Sequence, residues 1–237
     1  MEQKPLYMED NYLREFKATV KSVNEGRFII LDNTAFYPNS GGQPHDTGKI
    51  IAENGDEYNV VYVGKFSGSI SHEVDKEGLK PGDKIKGIID WNRRYKLMRY
   101  HTAAHVVSAV IHNKTGALIT GNQKSEEKAR IDFNLDEFDK EKMFLDAEEA
   151  NKYLRENIPV KKYFISKEEL MKDPSLIKLK DKMPPNVEQF RIIEIEGIDK
   201  QPCGGTHVNN LKEIGKIRFT KAENKGKNNR RIYFEII

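Results

Sequence analysis

The sequence predicts an α+β protein in two parts, a small β-barrel followed by an antiparallel sheet with helices. Residues 1–90 consist of short runs rich in β-branched and aromatic residues, separated by turn signals. From residue 92 the pattern changes to a helical period, and further strand-like and helix-like segments follow it. We therefore expect a β-barrel domain at 1–90 and an α+β domain at 91–237.

The first domain is expected to contain six strands. An Asn-Glu-Gly turn at 24–26 joins the first two into a hairpin, and Asn-Gly-Asp at 54–56 and Lys-Pro-Gly-Asp at 80–83 separate later runs. Short strands at this spacing are typical of a small barrel. The predicted strands are 15–23, 27–32, 48–52, 58–63, 69–74 and 84–90.

The helix that opens the second domain begins with Asn92 as a plausible N-cap and ends near Gly116. His105 is four positions after His101, so both side chains project from the same face of the helix on consecutive turns. The remaining segments alternate in type. We predict strands at 128–134, 160–166, 191–196, 215–222 and 231–237, helices at 136–157 and 167–172, and a loop at 183–186.

Composition narrows the class of protein. The chain has 237 residues, of which 37% are hydrophobic and 32% charged, and its net charge is +3. No apolar run approaches the ~18–20 residues that a membrane span requires, and the N-terminal residues lack an apolar signal segment. One cysteine excludes an internal disulfide, so a cytoplasmic location is expected. The charge is too small to indicate nucleic-acid binding by itself.

Two pairs of metal-ligating residues stand out. The histidine pair of the helix is matched, about a hundred residues later, by Cys203 and His207, which are also four residues apart. Two His, one Cys and one further His suit zinc, and we predict one Zn²⁺ per chain. Zinc proteases carry Glu after the first His, where this chain has Thr102, and the zinc nucleobase deaminases need a Cys-x-x-Cys that is absent. Four protein ligands are typical of a structural zinc site, whereas a catalytic zinc site keeps one position open for water. A catalytic role would require one of the four ligands to yield its place, so a catalytic and a purely structural role both stay open.

Together these motifs resemble a known family. His101-x-x-x-His105 with Cys203-Gly-Gly-Thr-His207 is similar to the editing domain of alanyl-tRNA synthetase and to its free-standing relatives, the alanyl-tRNA editing proteins (AlaX family) of medium length. A glycine-rich segment at 34–48, the segment 129–134 and the ending 227–234 resemble the same family. The resemblance implies hydrolysis in trans of the ester that joins serine, with glycine as a second amino acid, to the 3′ end of tRNA(Ala). The related zinc domain of threonyl-tRNA synthetase makes Ser-tRNA(Thr) an alternative substrate.

Substrate selection needs a polar group that reads the serine hydroxyl, because a pocket that admits serine also has room for alanine. Thr34 and Gln123 are the candidates, with Thr34 preferred; their alternatives are a packed strand residue and a plain loop residue. Gly41 and Gly42 are assigned to the substrate site, although a tight turn alone would also explain them. No catalytic group beyond the zinc site is assigned.

Basic residues cluster at two places, where they are predicted to contact tRNA phosphates. A solvated charged face is the alternative explanation. The predicted tRNA contacts are Arg93, Arg94, Lys96, Arg99, Lys227, Arg230 and Arg231.

Two other functions remain open, a non-catalytic zinc-stabilised RNA-binding module and a hydrolase of another small ester or amide. The partner expected is the acceptor end of mischarged tRNA(Ala), with no membrane partner. The oligomeric state is left open between a monomer and a weak dimer.

Overall fold

The computed structural model describes residues 3–137, 139–178 and 187–237. The chain forms two compact units, Met1–Leu97 and Met98–Ile237. The domain boundary expected at 90/91 coincides with the start of a long helix, whereas the two units divide seven residues further on, inside that helix. The predicted loop at 183–186 lies outside the described residues.

The first unit contains a closed barrel of six strands in the order β2-β3-β7-β6-β5-β8, and β8 pairs with β2 to complete it. All pairs in the barrel are antiparallel. Each predicted strand of the first domain corresponds to one barrel strand, so the barrel is confirmed. The strands of this unit are β1 (Lys4–Pro5), β2 (Glu15–Asn24), β3 (Phe28–Leu31), β4 (Asn33–Thr34), β5 (Gly48–Ala52), β6 (Glu57–Phe66), β7 (Ser69–Val74) and β8 (Lys84–Ile89).

The barrel strands alternate apolar and polar residues, which gives the closed barrel an apolar interior. In β2 the side chains of Phe16, Ala18 and Val20 are buried while their neighbours Glu15 and Lys17 are exposed. Together with buried residues of the other strands they form one apolar core. Burial of the apolar face therefore fixes the register of each strand.

The long helix α1 (Trp91–Thr115) has 25 residues. Its end is set by Gly116, which has a φ of 72° and donates its backbone N–H to the carbonyl of His112 at 2.7 Å. The predicted end near Gly116 is confirmed. The predicted N-cap Asn92 is wrong, because the helix already begins at Trp91 and Oδ1 of Asp90 accepts from the backbone N–H of Arg93 at 3.2 Å. Apolar residues at 103, 104, 106, 107, 110 and 111 are buried, which fixes the direction in which the two histidines project.

The strands of the second unit are β9 (Ile119–Lys124), β10 (Ala129–Phe133), β11 (Val160–Ser166), β12 (Gln189–Ile195), β13 (Asp199–Pro202), β14 (Ile217–Asn224) and β15 (Arg230–Ile236). Among the residues described, they form two antiparallel sheets, ordered β14-β15-β10-β9 and β11-β12-β13. The shorter α-helices described in this unit are α2 (Lys140–Glu148), α3 (Ala150–Tyr153) and α4 (Lys167–Lys172).

In the second unit three elements differ from the prediction, and in the first unit the two-residue strands β1 and β4 are additions to it. The helix expected at 136–157 is split into α2 and α3; the first of these begins only after Asp139, whose side chain caps it by accepting from the backbone N–H of Lys142. Strands β9 and β13 were not predicted, because each is short and mostly polar. Pairing with β10 and β12 respectively holds these segments extended. The overall α+β class is confirmed.

In the part of the chain that the structure describes, no helix has the length and apolar character needed to cross a membrane.

Candidate metal centre

Four side chains converge in the second unit. Helix α1 supplies His101 and His105 from consecutive turns, and the segment that follows β13 supplies Cys203 and His207. One ligand atom from each residue can be chosen so that all four lie within 4.8 Å of one another. Sγ of Cys203 lies 3.5 Å from Nε2 of His101 and 3.3 Å from Nε2 of His207. The predicted ligand set is thus brought together, in a geometry compatible with a metal ion.

His105 is oriented by a buried carboxylate. Its Nδ1 donates to Oδ2 of Asp199 at 2.8 Å, which directs Nε2 away from Asp199. Asp199 is itself fixed, since Oδ2 accepts from Gln201 at 2.7 Å and Oδ1 accepts from Lys178 at 2.6 Å. A carboxylate that holds the second ring nitrogen of a histidine is the usual support of a metal ligand.

His207 is oriented by a hydroxyl. Oγ1 of Thr102 donates to the carbonyl of Met98 at 3.0 Å and accepts from the backbone N–H of Val208 at 3.2 Å. Since its one proton is used, this oxygen accepts from Nδ1 of His207, which lies 3.2 Å away. The proton of His207 is therefore assigned to Nδ1, which leaves the lone pair of Nε2 facing Cys203. Thr102 follows the first histidine of the pair, where zinc proteases carry glutamate, and here its hydroxyl orients the ring of His207.

The loop that carries the thiol is held by Arg191. The backbone N–H of Cys203 donates to the carbonyl of Arg191 at 3.0 Å, and Nε of Arg191 donates back to the carbonyl of Cys203 at 3.0 Å. Nη2 of the same guanidinium donates to the carbonyl of Gly205, whose own N–H lies 3.4 Å from Sγ. These bonds fix the turn between the two ligands of the loop. Sequence patterns gave no sign of this role.

The protonation states suit a ligand cluster. Burial raises the pKa of the Cys203 thiol, but contacts with the surrounding histidines, hydrogen bonds from His101 and His105 among them, bring it well below its usual value. Burial lowers the pKa of His101 to about 4 and that of His207 well below its usual value, which keeps both rings neutral. A thiolate and neutral imidazoles are the forms that bind a metal.

His105 differs from the other two histidines. Burial lowers its pKa, but hydrogen bonds to Asp199 and Cys203 outweigh that effect and raise it to about 9. Burial raises the pKa of Asp199, but its hydrogen bond with His105 outweighs that effect, so the pKa lies below its usual value. A metal held at Nε2 would replace a proton there, while the Nδ1–H of His105 would stay hydrogen-bonded to Asp199.

Strand β9 carries a buried lysine in the same unit. Lys124 is 3% exposed, and its Nζ donates to Oδ1 of Asn122 at 2.7 Å. Burial lowers its pKa to about 8, against the opposing charge of Cys203, and its own charge contributes to the lowered pKa of His101. The predicted substrate residue Gln123 lies between Asn122 and Lys124 in the sequence. Its side chain is exposed and accepts from Nε of Arg130 at 3.2 Å. Alternation along the strand thus turns Gln123 to the face opposite Lys124.

Thr34 lies in the barrel unit and is fully buried. His72 donates from Nδ1 to the carbonyl of Ile29 at 2.9 Å, so its Nε2 accepts from Oγ1 of Thr34 at 2.8 Å. The same oxygen accepts from the backbone N–H of Phe36 at 3.1 Å. The hydroxyl proton of Thr34 is therefore engaged within the barrel. Its role as the reader of serine stays a prediction.

Gly41 and Gly42 form a tight turn. Their φ angles are 58° and 75°, and Ser40 and Gln43 on either side exchange backbone hydrogen bonds of 2.9 and 3.1 Å. Two consecutive residues with positive φ are what a two-residue hairpin turn of this kind requires, which accounts for both glycines. The expected substrate contact at these positions stays a prediction.

The predicted tRNA contacts lie in different environments. Arg94 is fully buried in an ion pair with Asp46, which leaves neither group available to a ligand at the surface. Arg230 is also buried, where it donates to the carbonyls of Asp136 and Glu137. We therefore correct the prediction for Arg94 and Arg230: their guanidinium groups satisfy internal acceptors rather than phosphates.

The other five basic residues reach the surface to different extents. Lys96 and Lys227 are exposed, whereas the three arginines are half-buried. Each of those donates within its own unit: Arg93 to the carbonyl of His45, Arg99 to that of Ile214, and Arg231 to both oxygens of Asp132. Because their side chains are exposed, Lys96 and Lys227 stay predicted phosphate contacts.

Two family profiles match the chain. The profile described as the threonyl and alanyl tRNA synthetase second additional domain matches residues 190–233, which include Cys203 and His207. The profile described as tRNA synthetases class II (A) matches residues 7–93, most of the barrel unit.

Curated relatives match along almost the whole chain. The alanyl-tRNA editing protein AlaX-M of Methanosarcina mazei is 49% identical over 98% of this chain and 96% of its own length. The protein of the same name from Saccharolobus solfataricus is 44% identical over 98% of both chains. The alanine–tRNA ligase of Thermofilum pendens is 36% identical over 92% of this chain, but the match spans only 24% of that larger protein.

Proposed function

Since this chain belongs to the family of alanyl-tRNA editing proteins, we propose that it is a deacylase that removes serine from mischarged tRNA(Ala). The observation that carries the proposal is the cluster of three histidines and one cysteine in the second unit. Glycine is proposed as a second amino acid that it releases. The products are the free amino acid and a tRNA with both terminal hydroxyls restored, at the expense of one water molecule.

The metal proposed for the cluster is zinc, one ion per chain. Zn–S bonds of ~2.3 Å and Zn–N bonds of ~2.0–2.1 Å at tetrahedral angles place sulfur and nitrogen ligands roughly 3.5 Å apart. The distances of 3.5 and 3.3 Å from Sγ of Cys203 to the two imidazole nitrogens agree with that value. When bound, zinc supplies Lewis-acid polarisation and lowers the pKa of a coordinated water.

The chain's own residues prepare the ligands for this task. Asp199 and Thr102 hold the Nδ1 protons of His105 and His207, so that both rings present Nε2 to the cluster. Arg191 fixes the backbone on which the thiol is mounted. Preorganised ligands need no rearrangement when the ion binds, which favours affinity and a single geometry.

Discrimination between serine and alanine must come from a hydrogen bond. Alanine is smaller than serine and enters any pocket that serine enters, so exclusion by size cannot protect correctly charged tRNA. A site built around the serine hydroxyl leaves a buried polar group unpaired when alanine enters, which is worth up to ~10⁴–10⁵ in selectivity. Thr34 is the residue that we propose for this reading.

The proposal is tested by measuring release of radiolabelled serine, glycine and alanine from tRNA(Ala), with and without a chelator. We expect rapid release of serine, slow release of alanine, loss of activity in the chelator and recovery with added zinc. A His101→Ala variant serves as the inactive control. If serine release matches the spontaneous rate while the tRNA is bound, the protein is a non-catalytic RNA-binding module instead.

A second substrate follows from the profile that spans both threonyl- and alanyl-tRNA synthetase domains. Ser-tRNA(Thr) is therefore included as a further assay arm. Preferential hydrolysis of that substrate over Ser-tRNA(Ala) would assign the protein to threonine rather than alanine editing. The partner is in either case a charged tRNA, and we expect the protein to act in the cytoplasm.

A further inference from the structure

An arginine of the barrel unit lies over the one tryptophan of the chain. The guanidinium carbon of Arg14 is 4.3 Å from the centroid of the Trp91 ring, well within the ~6 Å range of a cation–π contact. Arg14 immediately precedes β2, and its carbonyl accepts from the backbone N–H of Ile89 at 2.8 Å, at the end of β8. The barrel therefore fixes the backbone of Arg14, and the indole ring holds its side chain.

Trp91 belongs to a cluster of three aromatic rings in the same unit. Its ring is stacked on that of Tyr95, one helical turn later, with centroids 5.5 Å apart and an interplanar angle of 27°. Tyr12 packs against both rings, at 5.5 Å from Trp91 and 6.5 Å from Tyr95. All three residues are half-buried, so the cluster is packed together and still reaches the surface. Arg14 is thus mounted on a well-supported ring.

The five N–H donors of this guanidinium have no oxygen acceptor among the described residues of the protein. Arg94 and Arg230 differ in this respect, because internal carboxylate or carbonyl oxygens accept from them. Arg14 is exposed, and its contact with the Trp91 ring is the one interaction that the described chain gives its side chain. Its donors are therefore available to a ligand, while the ring fixes where they lie.

The acidic residues that lie close to Arg14 in the sequence or in the barrel are bound to other groups. Glu15, the next residue, forms an ion pair with Lys86 at 2.7 Å. Asp10 and Asp90 each accept from a backbone N–H group, that of the residue two or three positions later. An oriented cation without an internal anion is suited to an anion from another molecule.

The shape of the guanidinium selects the kind of anion. Its planar fork of donors matches two oxygens of one phosphate, and stacking on an aromatic ring leaves the donors at its edge free for that purpose. Contacts of this kind supply much of the affinity for a nucleic-acid backbone and fix its position without reading its sequence. Lys96, which follows Tyr95 and is exposed, places a second cation next to the aromatic cluster. A side chain that is already ordered loses less entropy when the phosphate binds.

We propose that the guanidinium of Arg14, held on the Trp91 ring, binds a backbone phosphate of the tRNA. The inference rests on the proposed function for the identity of the partner as a tRNA. Arg14 is then a binding residue and Trp91 a positioning residue. The sequence offered no signal for this contact, because Arg14 lies apart from both clusters of basic residues.

The test measures binding of the full chain to uncharged tRNA(Ala) over a range of salt concentrations. Arg14→Gln removes the charge, whereas Arg14→Lys keeps the charge but lacks the planar fork. Arg27→Gln is the matched control, since Arg27 is an exposed arginine of the same unit. Quenching of Trp91 fluorescence by acrylamide, with and without tRNA, reports whether the RNA covers this surface, because the chain has no other tryptophan.

We expect Arg14→Gln to weaken binding about tenfold and to reduce the slope of log K against log salt by about 1, while Arg27→Gln changes neither. Arg14→Lys should keep the wild-type slope and bind more weakly than wild type. In the wild-type protein, tRNA should shield Trp91 from acrylamide. An Arg14→Gln protein that binds like Arg27→Gln, or a Trp91 that is quenched equally with and without tRNA, would overturn the assignment, because the guanidinium would then serve only to cover the ring.

Release of serine from Ser-tRNA(Ala), measured on the same proteins, separates this inference from the proposed function. If the protein binds tRNA through Arg14 but leaves the ester intact, the deacylase function fails and the phosphate contact holds. If wild type releases serine and Arg14→Gln binds tRNA as tightly as the control, only the role of Arg14 is refuted. A wild-type protein that binds no tRNA refutes both.

Discussion

Nδ1 of His105 lies 2.8 Å from Oδ2 of Asp199, and the two side chains are only 8% and 0% exposed. Because both groups are buried, the carboxylate of Asp199 holds the imidazole ring of His105 in one orientation toward the candidate metal centre. Replacing Asp199 by Asn removes the charge that holds the ring, so we expect zinc affinity to fall by about 10–100-fold. Competition with a chromophoric chelator measures this directly.

The matched control for that substitution is Asp146→Asn, which makes the same chemical change at an ion pair with Lys114 in the same unit. Its zinc affinity should equal that of wild type. Equal affinities in all three proteins would show that the contact between His105 and Asp199 does not support the metal.

The identity of the serine reader can be tested at Thr34. Thr34→Val removes the hydroxyl at nearly constant volume, whereas Thr34→Ser keeps it. If Thr34 reads serine, the ratio of serine to alanine release from tRNA(Ala) should fall at least about tenfold in the first variant and stay near wild type in the second. A lowered stability of Thr34→Val with an unchanged ratio would instead assign the hydroxyl to the barrel alone, through its bond to His72.

The stability of the barrel should depend on pH through His72. Burial lowers the pKa of this histidine from 6.5 to about 4 in the folded state. Between those values the unfolded chain binds a proton that the folded chain does not, so stability falls as the pH decreases. At ~1.4 kcal/mol per pKa unit, the fall approaches about 3 kcal/mol at pH 4.

Urea unfolding followed by the fluorescence of Trp91 measures this effect, because the chain has one tryptophan and it lies in the barrel unit. His72→Gln should show a shallower decrease between pH 6.5 and 4. Parallel curves for the two proteins would mean that other groups carry the pH dependence.

Binding of tRNA should depend on salt through the two exposed lysines. We expect the double variant Lys96→Ala, Lys227→Ala to bind tRNA(Ala) more weakly and to reduce the slope of log K against log salt by about 1–2. Lys172→Ala, at an exposed lysine paired with Glu168, is the control and should leave the slope unchanged. If the double variant has the wild-type slope, the phosphate contacts are made by residues other than Lys96 and Lys227.

Local patterns in the sequence were enough to predict the barrel strands and the four side chains that converge in the candidate metal centre. Both are encoded within a few residues, by alternation and turns in one case and by spacings of four in the other. Family resemblance then supplied the reaction. In contrast, the short strands β9 and β13 are held by their neighbours in the sheet rather than by their own composition.

The partners that orient the ligands could not be predicted, since each joins residues distant in sequence. Asp199, for example, is 94 residues from His105. The same limit applies to the buried ion pair of Arg94 and Asp46 in the barrel unit, which are 48 residues apart. A charged residue looks the same in sequence whether it meets solvent or an internal partner. That ambiguity is why Arg94 and Arg230 were assigned to tRNA.

The solitary thiol of Cys203 makes the candidate metal centre sensitive to oxidation. A thiolate is the form most readily oxidised by peroxide, and this one is only partly buried. A sulfenic acid formed there finds no second sulfhydryl in the same polypeptide with which to condense. Its reduction then depends on a thiol from another molecule, and until that reduction the cluster has lost one of its four donors.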